Sequence, residues 1–433
     1  MSVSFYKALI HFIIWFDGSG IELNENSGGR ISLMLGLALL ISSFFGASAQ
    51  PEEAWNTTFG GSGFDWGSYV LEKEGGGYII VGHTESYGAG RNDAWLIATD
   101  ASGNEEWNKT FGGAGNEFGS WVVQTRDGDY ILVGSRGPWE IGGSDVWLIK
   151  TDSEGNEHWN KTFGGSANDF GTSILEIEKN GYIVVGNTES YGSGGSDIWM
   201  IKTDSDGVIE WDKAFGGFGD DACKSVVATE DGGYVIGGVT RSYGNGSNDL
   251  WLIKTDSEGN MVWDRTFGGS GDDYGGSVLQ TEDGGYVLLG QTRVHSPGIG
   301  GGVAWLIKID SEGNLEWEKT LGYEDGDYLG SSIQKVGDGG YLIAGAVISY
   351  LEGPTEVDGT VSFGSDGHDI LIIKTDPEGR ELWNMTFGKP GLDDQGALAI
   401  ETKDEGYVIL CNTESYGAGR KNVWLIRLGR ESA

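Results

Sequence analysis

The sequence predicts an all-β fold: a seven-bladed β-propeller of four-stranded antiparallel blades, with the N-terminal strand closing the last blade. Three observations predict it. Trp55, Trp107, Trp159, Trp211, Trp263, Trp317 and Trp383 recur at spacings of 52, 52, 52, 52, 54 and 66 residues. Each opens the same phrase, clearest as Trp159-Asn160-Lys161-Thr162-Phe163-Gly164-Gly165. A fixed period of this size means one supersecondary unit repeated. Second, one strand of each repeat is apolar on successive residues, as in Tyr78-Ile79-Ile80-Val81 and Tyr182-Ile183-Val184-Val185. A strand with one wet face alternates, so a continuous run means that both faces are covered. A propeller covers them by packing each sheet between two neighbours, whereas a two-sheet sandwich leaves an outer face wet. Third, the last repeat stops after Val423-Trp424-Leu425-Ile426 without a fourth strand, while Glu53 to Phe59 is a fourth strand with nothing before it. Joining the two closes a ring of six full repeats and one shared repeat, and removes exposed sheet edges.

The segments follow in chain order. Residues 1–30 hold a short apolar run, Ala8 to Phe16, then a polar stretch, and read as a leader or an upstream extension of the gene model. Residues 31–49 read as a signal peptide: an apolar run from Ile31 to Phe45 behind Arg30, then Ala47-Ser48-Ala49 as a small-residue cleavage site, so that Gln50 opens the mature chain. The runner-up is an uncleaved membrane anchor, although neither run reaches the ~18 residues of a spanning helix. Residues 53–429 are the propeller. Its fifth blade shows the pattern: Gly276–Gln280, a glycine turn, Tyr286–Gly290, a longer loop, Ala304–Lys308, the turn Asp310-Ser311-Glu312-Gly313-Asn314, and Glu316–Thr320. Glycines supply the positive φ that such turns need.

The formal net charge of -37 excludes ordinary nucleic-acid binding, which needs a cationic surface. Cys223 and Cys411 fall three blades apart, too far for a bridge, and read as buried thiols. No zinc spacing, serine elbow or phosphate loop is evident.

The turn Asp152-Ser153-Glu154-Gly155-Asn156-Glu157-His158-Trp159 resembles the tryptophan-docking turn of quinoprotein-type propellers. Together with Asp231 to Tyr234 and Thr240 to Gly244, it is similar to repeats of secreted archaeal and bacterial surface propellers, over about residues 53–428. The resemblance implies the fold. The spacer before Gly155 is one residue shorter than the quinoprotein form and no vicinal cysteine pair is present, which counts against a quinone; no cofactor is expected, with calcium the exception.

Two faces result. Turns between strands one and two, and three and four, share a short-turn face. Loops joining strands two and three share a long-loop face with the blade-to-blade connections, and these vary most, so the site is sought there. Asp65, Glu117, Asp169, Asp221, Asp273, Asp327 and Asp394 stand just before strand one. They read either as turn caps or as a cation-binding ring at the channel mouth. Tyr87, Tyr191, Tyr243 and Tyr416, each in Ser-Tyr-Gly, and Trp66, Phe118, Phe170, Tyr274 and Tyr328 read as loop packing or as faces for sugar or peptide. Glu85, Arg136, Glu189, Arg241, Arg293, Val347 and Glu414 change sign around the ring and are expected to pair across blades, except that Arg241 and Arg293 together suit a carboxylate or sulfate.

Symmetry breaks most at Val294-His295-Ser296-Pro297-Gly298 and in the insertion Ile348 to His368 of blade six, with Tyr350, Glu352 and Glu356. A single ligand is therefore expected beside blades four to six, on Arg241, Tyr243, Arg293, His295, Tyr350 and Glu352. Asn56, Asn108, Asn160, Asn245 and Asn384 head sequons and are candidate glycosylation sites. The leading expectation is a secreted or cell-surface, non-enzymatic propeller that binds extracellular carbohydrate or protein. It touches no nucleic acid, and a membrane only through an uncleaved leader. The alternative is an extracellular polysaccharide hydrolase or lyase using carboxylates of blades five and six. A third reading is a scaffold that binds calcium.

Overall fold

The computed structural model describes residues 50–431, apart from 138–142, 178–180, 294–301, 322–325, 350–354, 358–359, 363–366 and 390. The leader and signal segments, His295, Tyr350 and Glu352 lie outside the described residues. Seven four-stranded antiparallel sheets form a ring of blades, and the described residues contain no helix. Blade 4 is typical: Asp221–Ala228, Tyr234–Thr240, Asp249–Thr255 and Met261–Phe267 pair in chain order. Blade 7 joins Gln395–Glu401, Tyr407–Thr413 and Asn422–Leu428 to Glu53–Phe59. In that joint Asn56 lies opposite Ile426 and Thr58 opposite Trp424, so the expected closure is present. Blade 6 carries an extra two-stranded ladder in which Thr355–Val357 pairs with Thr360–Ser362.

The core lies between blades. In strand two of blade 3, Ile183, Val184 and Val185 are all fully buried, the two faces meeting different neighbours. Ile183, Val185, Ile198 and Met200 pack against Val226, Tyr234, Ile236 and Trp251 of blade 4. Each such aliphatic side chain stabilises by about 1.5–3 kcal/mol when fully buried. The outermost strands are mostly exposed instead: Glu157, His158 and Asn160 are exposed while Phe163 is buried, as expected at the outer edge of a blade.

Four polar or aromatic devices repeat around the ring. The strand-four tryptophan docks on the next blade: a Cβ placed on Gly155 would stand 2.5 Å from the Trp107 ring, and one on Gly103 2.5 Å from Trp55. The strand-three tryptophan binds strand four of its own blade, Trp95 Nε1 donating to Asn108 Oδ1 at 3.2 Å and Trp147 to Asn160 at 3.1 Å. Asn108 also donates to Glu105 at 2.6 Å, so the recurring sequon asparagine serves the blade through both ends of its amide. The Ser-Tyr-Gly tyrosine clasps the preceding blade: Tyr87 donates to the Gly60 carbonyl at 3.0 Å, Tyr191 to Gly164 at 2.9 Å, and Tyr243 to Gly216 at 2.9 Å. On the short-turn face a buried lysine meets the aspartate of the strand one–two turn, Lys254 to Asp231 at 2.9 Å and Lys308 to Asp283 at 3.0 Å. Hydrogen bonds from Thr281 and Lys308 hold the Asp283 carboxyl down at about 2.

The structure differs from the sequence reading in two respects. The acids expected just before strand one are part of it in most blades, since Asp65, Asp169, Asp221 and Asp273 each begin the inner strand. The sign-changing position pairs within its own blade, not across blades: Arg136 meets Glu117 at 3.4 Å, Arg241 meets Asp220 at 3.3 Å, and Glu189 accepts from Asn168 at 3.0 Å. The cause is the register, in which the end of strand two lies directly opposite the start of strand one, as Arg136 does opposite Glu117. Cys223 and Cys411 are free and buried.

Two stability predictions follow from this packing. Gly155 has φ +76° beneath the Trp107 ring, whereas Gly232 has φ +82° with open space beyond it. Gly232→Ala is expected to cost the backbone term alone, about 1–2 kcal/mol. Gly155→Ala should cost roughly 1–3 kcal/mol more for the displaced ring, read from urea midpoints. His83 is enclosed by Phe118 at 4.8 Å and Phe64 at 6.3 Å, and its buried Nδ1 has no hydrogen-bond partner. Burial pushes its pKa down from 6.5 to about 4. The unfolded chain therefore takes up a proton that the folded one refuses, so this contribution is complete above pH 6.5 and is lost as pH falls toward 4. Wild type should lose about 2 kcal/mol from this group between pH 7 and pH 5. His83→Asn, the residue at the same position in blades 3 and 7, should lack that slope; equal slopes would refute the assignment.

Candidate functional site

The acids at the long-loop face serve the blade joints. Asp65, Asp169, Asp221, Asp273 and Asp394 are completely buried. Asp65 accepts from the Gly61 amide at 2.8 Å and from Ser86 Oγ at 2.6 Å, and Thr84 donates to its other oxygen. Asp169 and Asp221 repeat this with Gly165 and Ser190, and with Gly217 and Ser242. These are caps on the connection that enters the blade. Glu117 is buried too, and burial raises its pKa. The channel is walled instead by the residues that follow the acids, such as Trp66, Gly67 and Ser68. Asp327 belongs to the inner strand of blade 6. Among the described residues no three His, Cys, Asp or Glu side chains gather as a metal site.

Arg241 and Arg293 each stand in their own blade. Arg241 is held by Asp220 and donates through Nε to Asn248 Oδ1 at 2.9 Å. Asn248 in turn donates to Asp272 at 2.8 Å and to the Tyr274 hydroxyl at 3.1 Å. Arg293 is exposed, with no partner among the described residues. Tyr243 is half exposed, but its hydroxyl and its packing on Trp251 at 5.3 Å belong to the blade clasp. Phe170 and Tyr274 are 38 % and 37 % exposed, and between them blade 4 places only Ala222. The rim thus has a notch at blade 4, with an anchored tyrosine and a guanidinium on one side.

Below the notch runs the axial channel, which encloses about 300 Å³ and is lined by inner-strand residues of all seven blades. Each inner strand carries a bulge at one shared position. A bulge leaves one residue unpaired and re-aims its side chain. The unpaired residues are Ser68, Ser120, Thr172, Lys224, Gly276 and Ser331 in blades 1 to 6. Lys224 is thus the cation in a ring of small residues; its side chain is exposed along the channel, and the desolvation it meets there lowers its pKa. Tyr69 and Trp121 stack at 3.8 Å on the same wall, and burial pushes the Tyr69 hydroxyl up to about 12. Sequence reasoning missed Lys224. Aligning the third residue after each acid would have exposed it, but strict alternation does not flag a bulged residue.

A third group lies where blades 6 and 7 meet. His368 Nδ1 is 2.5 Å from Asp393 Oδ1, Lys421 is 3.1 Å from Asp393 Oδ2, and Gln395 donates to the same carboxylate. Burial opposes ionisation of Asp393, but the bonds from Gln395, His368 and Lys421 prevail and hold it at about 2. Lys421 also lies 5.6 Å from the Trp66 ring centre, beside the channel mouth. His368 was read only as the end of the insertion; its partner is 25 residues further on, and proximity of that kind is set by the ring.

No protein-family model and no curated protein matches the chain. Solved structures do. The chain is similar to a polysaccharide lyase, an ulvan lyase bound to -[GlcA(1-4)Rha3S]-, at 8% identity over 87% of this chain and 96% of that one, with TM-score 0.53. It is also similar to the WD40 domain of Neurospora crassa Pan2, at 7% identity over 84% and 90%, with TM-score 0.50. At such identities the likeness is one of fold, and the chain is a seven-bladed β-propeller.

Proposed function

We propose that the protein is a secreted or cell-surface binding propeller that takes carbohydrate on its long-loop face, at the notch between blades 3 and 5. The observation that carries this reading is the Arg241–Asn248–Tyr274 network beside the Ala222 gap. A sugar needs a flat apolar face and directional donors close to it. Tyr274 supplies a partly exposed ring fixed by Asn248, and Arg241 keeps donors free beyond those used on Asp220 and Asn248. Arg293, exposed on the next blade, extends the cationic edge of an otherwise acidic protein. A propeller of this shape that holds a sugar fragment, the ulvan lyase, is in keeping with a carbohydrate partner.

A second reading, an extracellular polysaccharide hydrolase or lyase, draws on the His368–Asp393 pair. A carboxylate on Nδ1 fixes the tautomer of an imidazole and leaves Nε2 for proton transfer. In this reading His368 moves the proton and Lys421 meets negative charge near Trp66.

A glycan array with the purified protein separates the two. Wild type should bind a defined set of glycans without cleaving them. Arg241→Ala/Arg293→Ala and Tyr274→Ala should each weaken binding about tenfold or more. Unchanged binding in both would remove the rim site. Release of new sugar ends by wild type, absent in His368→Ala, would establish the enzyme instead.

A further inference from the structure

The channel differs from the rim in one respect: among the described residues its cation has no counter-ion. Among the described residues Lys224 makes no ion pair or hydrogen bond, and no carboxylate lines the cavity. The buried lysines of the short-turn face differ in being paired, Lys254, Lys308 and Lys374 with Asp231, Asp283 and Asp338. An ammonium that lines a confined channel without a counter-ion is available to pair with a bound anion. Here it occupies the bulge position where blades 1 to 3 carry Ser68, Ser120 and Thr172.

The rest of the lining defines what would meet that charge. Ser68 and Ser120 have hydroxyls without hydrogen-bond partners among the described residues, whereas Thr172 donates to the Val185 carbonyl at 3.1 Å. The stacked Tyr69 and Trp121 give an apolar wall. A space of about 300 Å³ is at the small end of ligand pockets and suits one sugar ring, not a polymer.

We propose that the axial cavity binds one small carboxylate carried on a polyhydroxylated ring, a free uronate in chemical class, with Lys224 as its counter-ion and Ser68 and Ser120 meeting its hydroxyls. The site is separate from the rim and does not depend on the rim's function. A carboxylate relieves the uncompensated ammonium, which a neutral sugar cannot do. The hydroxyls and the aromatic wall favour a sugar body over a bare acid. The desolvation that lowers the Lys224 pKa also strengthens its attraction to an anion bound in the channel.

The test is calorimetric titration of the purified protein with sodium D-glucuronate, D-glucose and sodium acetate. Glucuronate should bind about tenfold or more tightly than either of the others. Lys224→Ser, which installs the residue of blades 1 and 2, and Lys224→Gln should each lose at least that factor with an unchanged melting temperature, while Arg241→Ala keeps it. Glucose or acetate matching glucuronate would overturn the proposal. So would full affinity in either folded Lys224 variant, or an equal loss in Arg241→Ala. A readout on wild type guards against misfolded variants: glucuronate should protect Lys224 from trinitrobenzenesulfonate, scored by peptide mass. Equal labelling with and without glucuronate would also overturn the proposal.

Discussion

The pairing of Glu53–Phe59 with Asn422–Leu428 is the constraint on which the rest of the molecule depends. Each blade is a thin sheet whose middle strands are apolar on both faces, and a sheet of that kind is stable only between two others. In an open row the two end blades would each present a bare apolar face. Closure converts every blade into an interior one. The joint repeats the devices of the other blades: Trp424 binds Asn56 as Trp95 binds Asn108, and Trp55 docks on Gly103 as Trp107 does on Gly155. The closing blade is thus chemically a copy of the six that are continuous in sequence.

Seven copies of one unit make departures from the pattern informative. Most repeated polar groups are accounted for by the blades themselves: the capping aspartates, the tryptophan–asparagine bonds, the tyrosine clasps and the lysine–aspartate turns. Three positions depart from their columns. Ala222 opens the rim where blades 1, 2, 3 and 5 have aromatics, Lys224 replaces a small residue in the channel, and His368 with Asp393 replaces the amide pair seen as Asn92 and Asn116. Two of the three fall in one strand of blade 4, so the rim notch and the axial cation lie close together.

The fold was legible in the sequence because its signal is local and repeated seven times. The tryptophan period, the consecutive apolar runs in strand two and the unmatched strand at each end each reflect a packing requirement. The site was less legible. Asp65 and its counterparts look like a ring of ligands in a list of residues, yet backbone amides and hydroxyls from the adjoining loops consume them. Arg241 and Arg293 look like a pair because they occupy equivalent positions, but Arg241 is committed to Asp220 inside its own blade. Lys224 was overlooked because a bulge breaks the two-residue alternation by which strand faces are read. His368 and Asp393 are adjacent only because blades 6 and 7 are.

The short strand that seals the ring begins on the short-turn face, where the Gly429 amide donates to the Glu52 carbonyl at 2.8 Å. The two ends of the ring therefore lie side by side on the surface opposite the notch. A tether joined at Glu52 or Gly429 would meet the ring on the side away from the variable loops. A fusion partner or immobilising tag placed at either end would likewise leave those loops accessible.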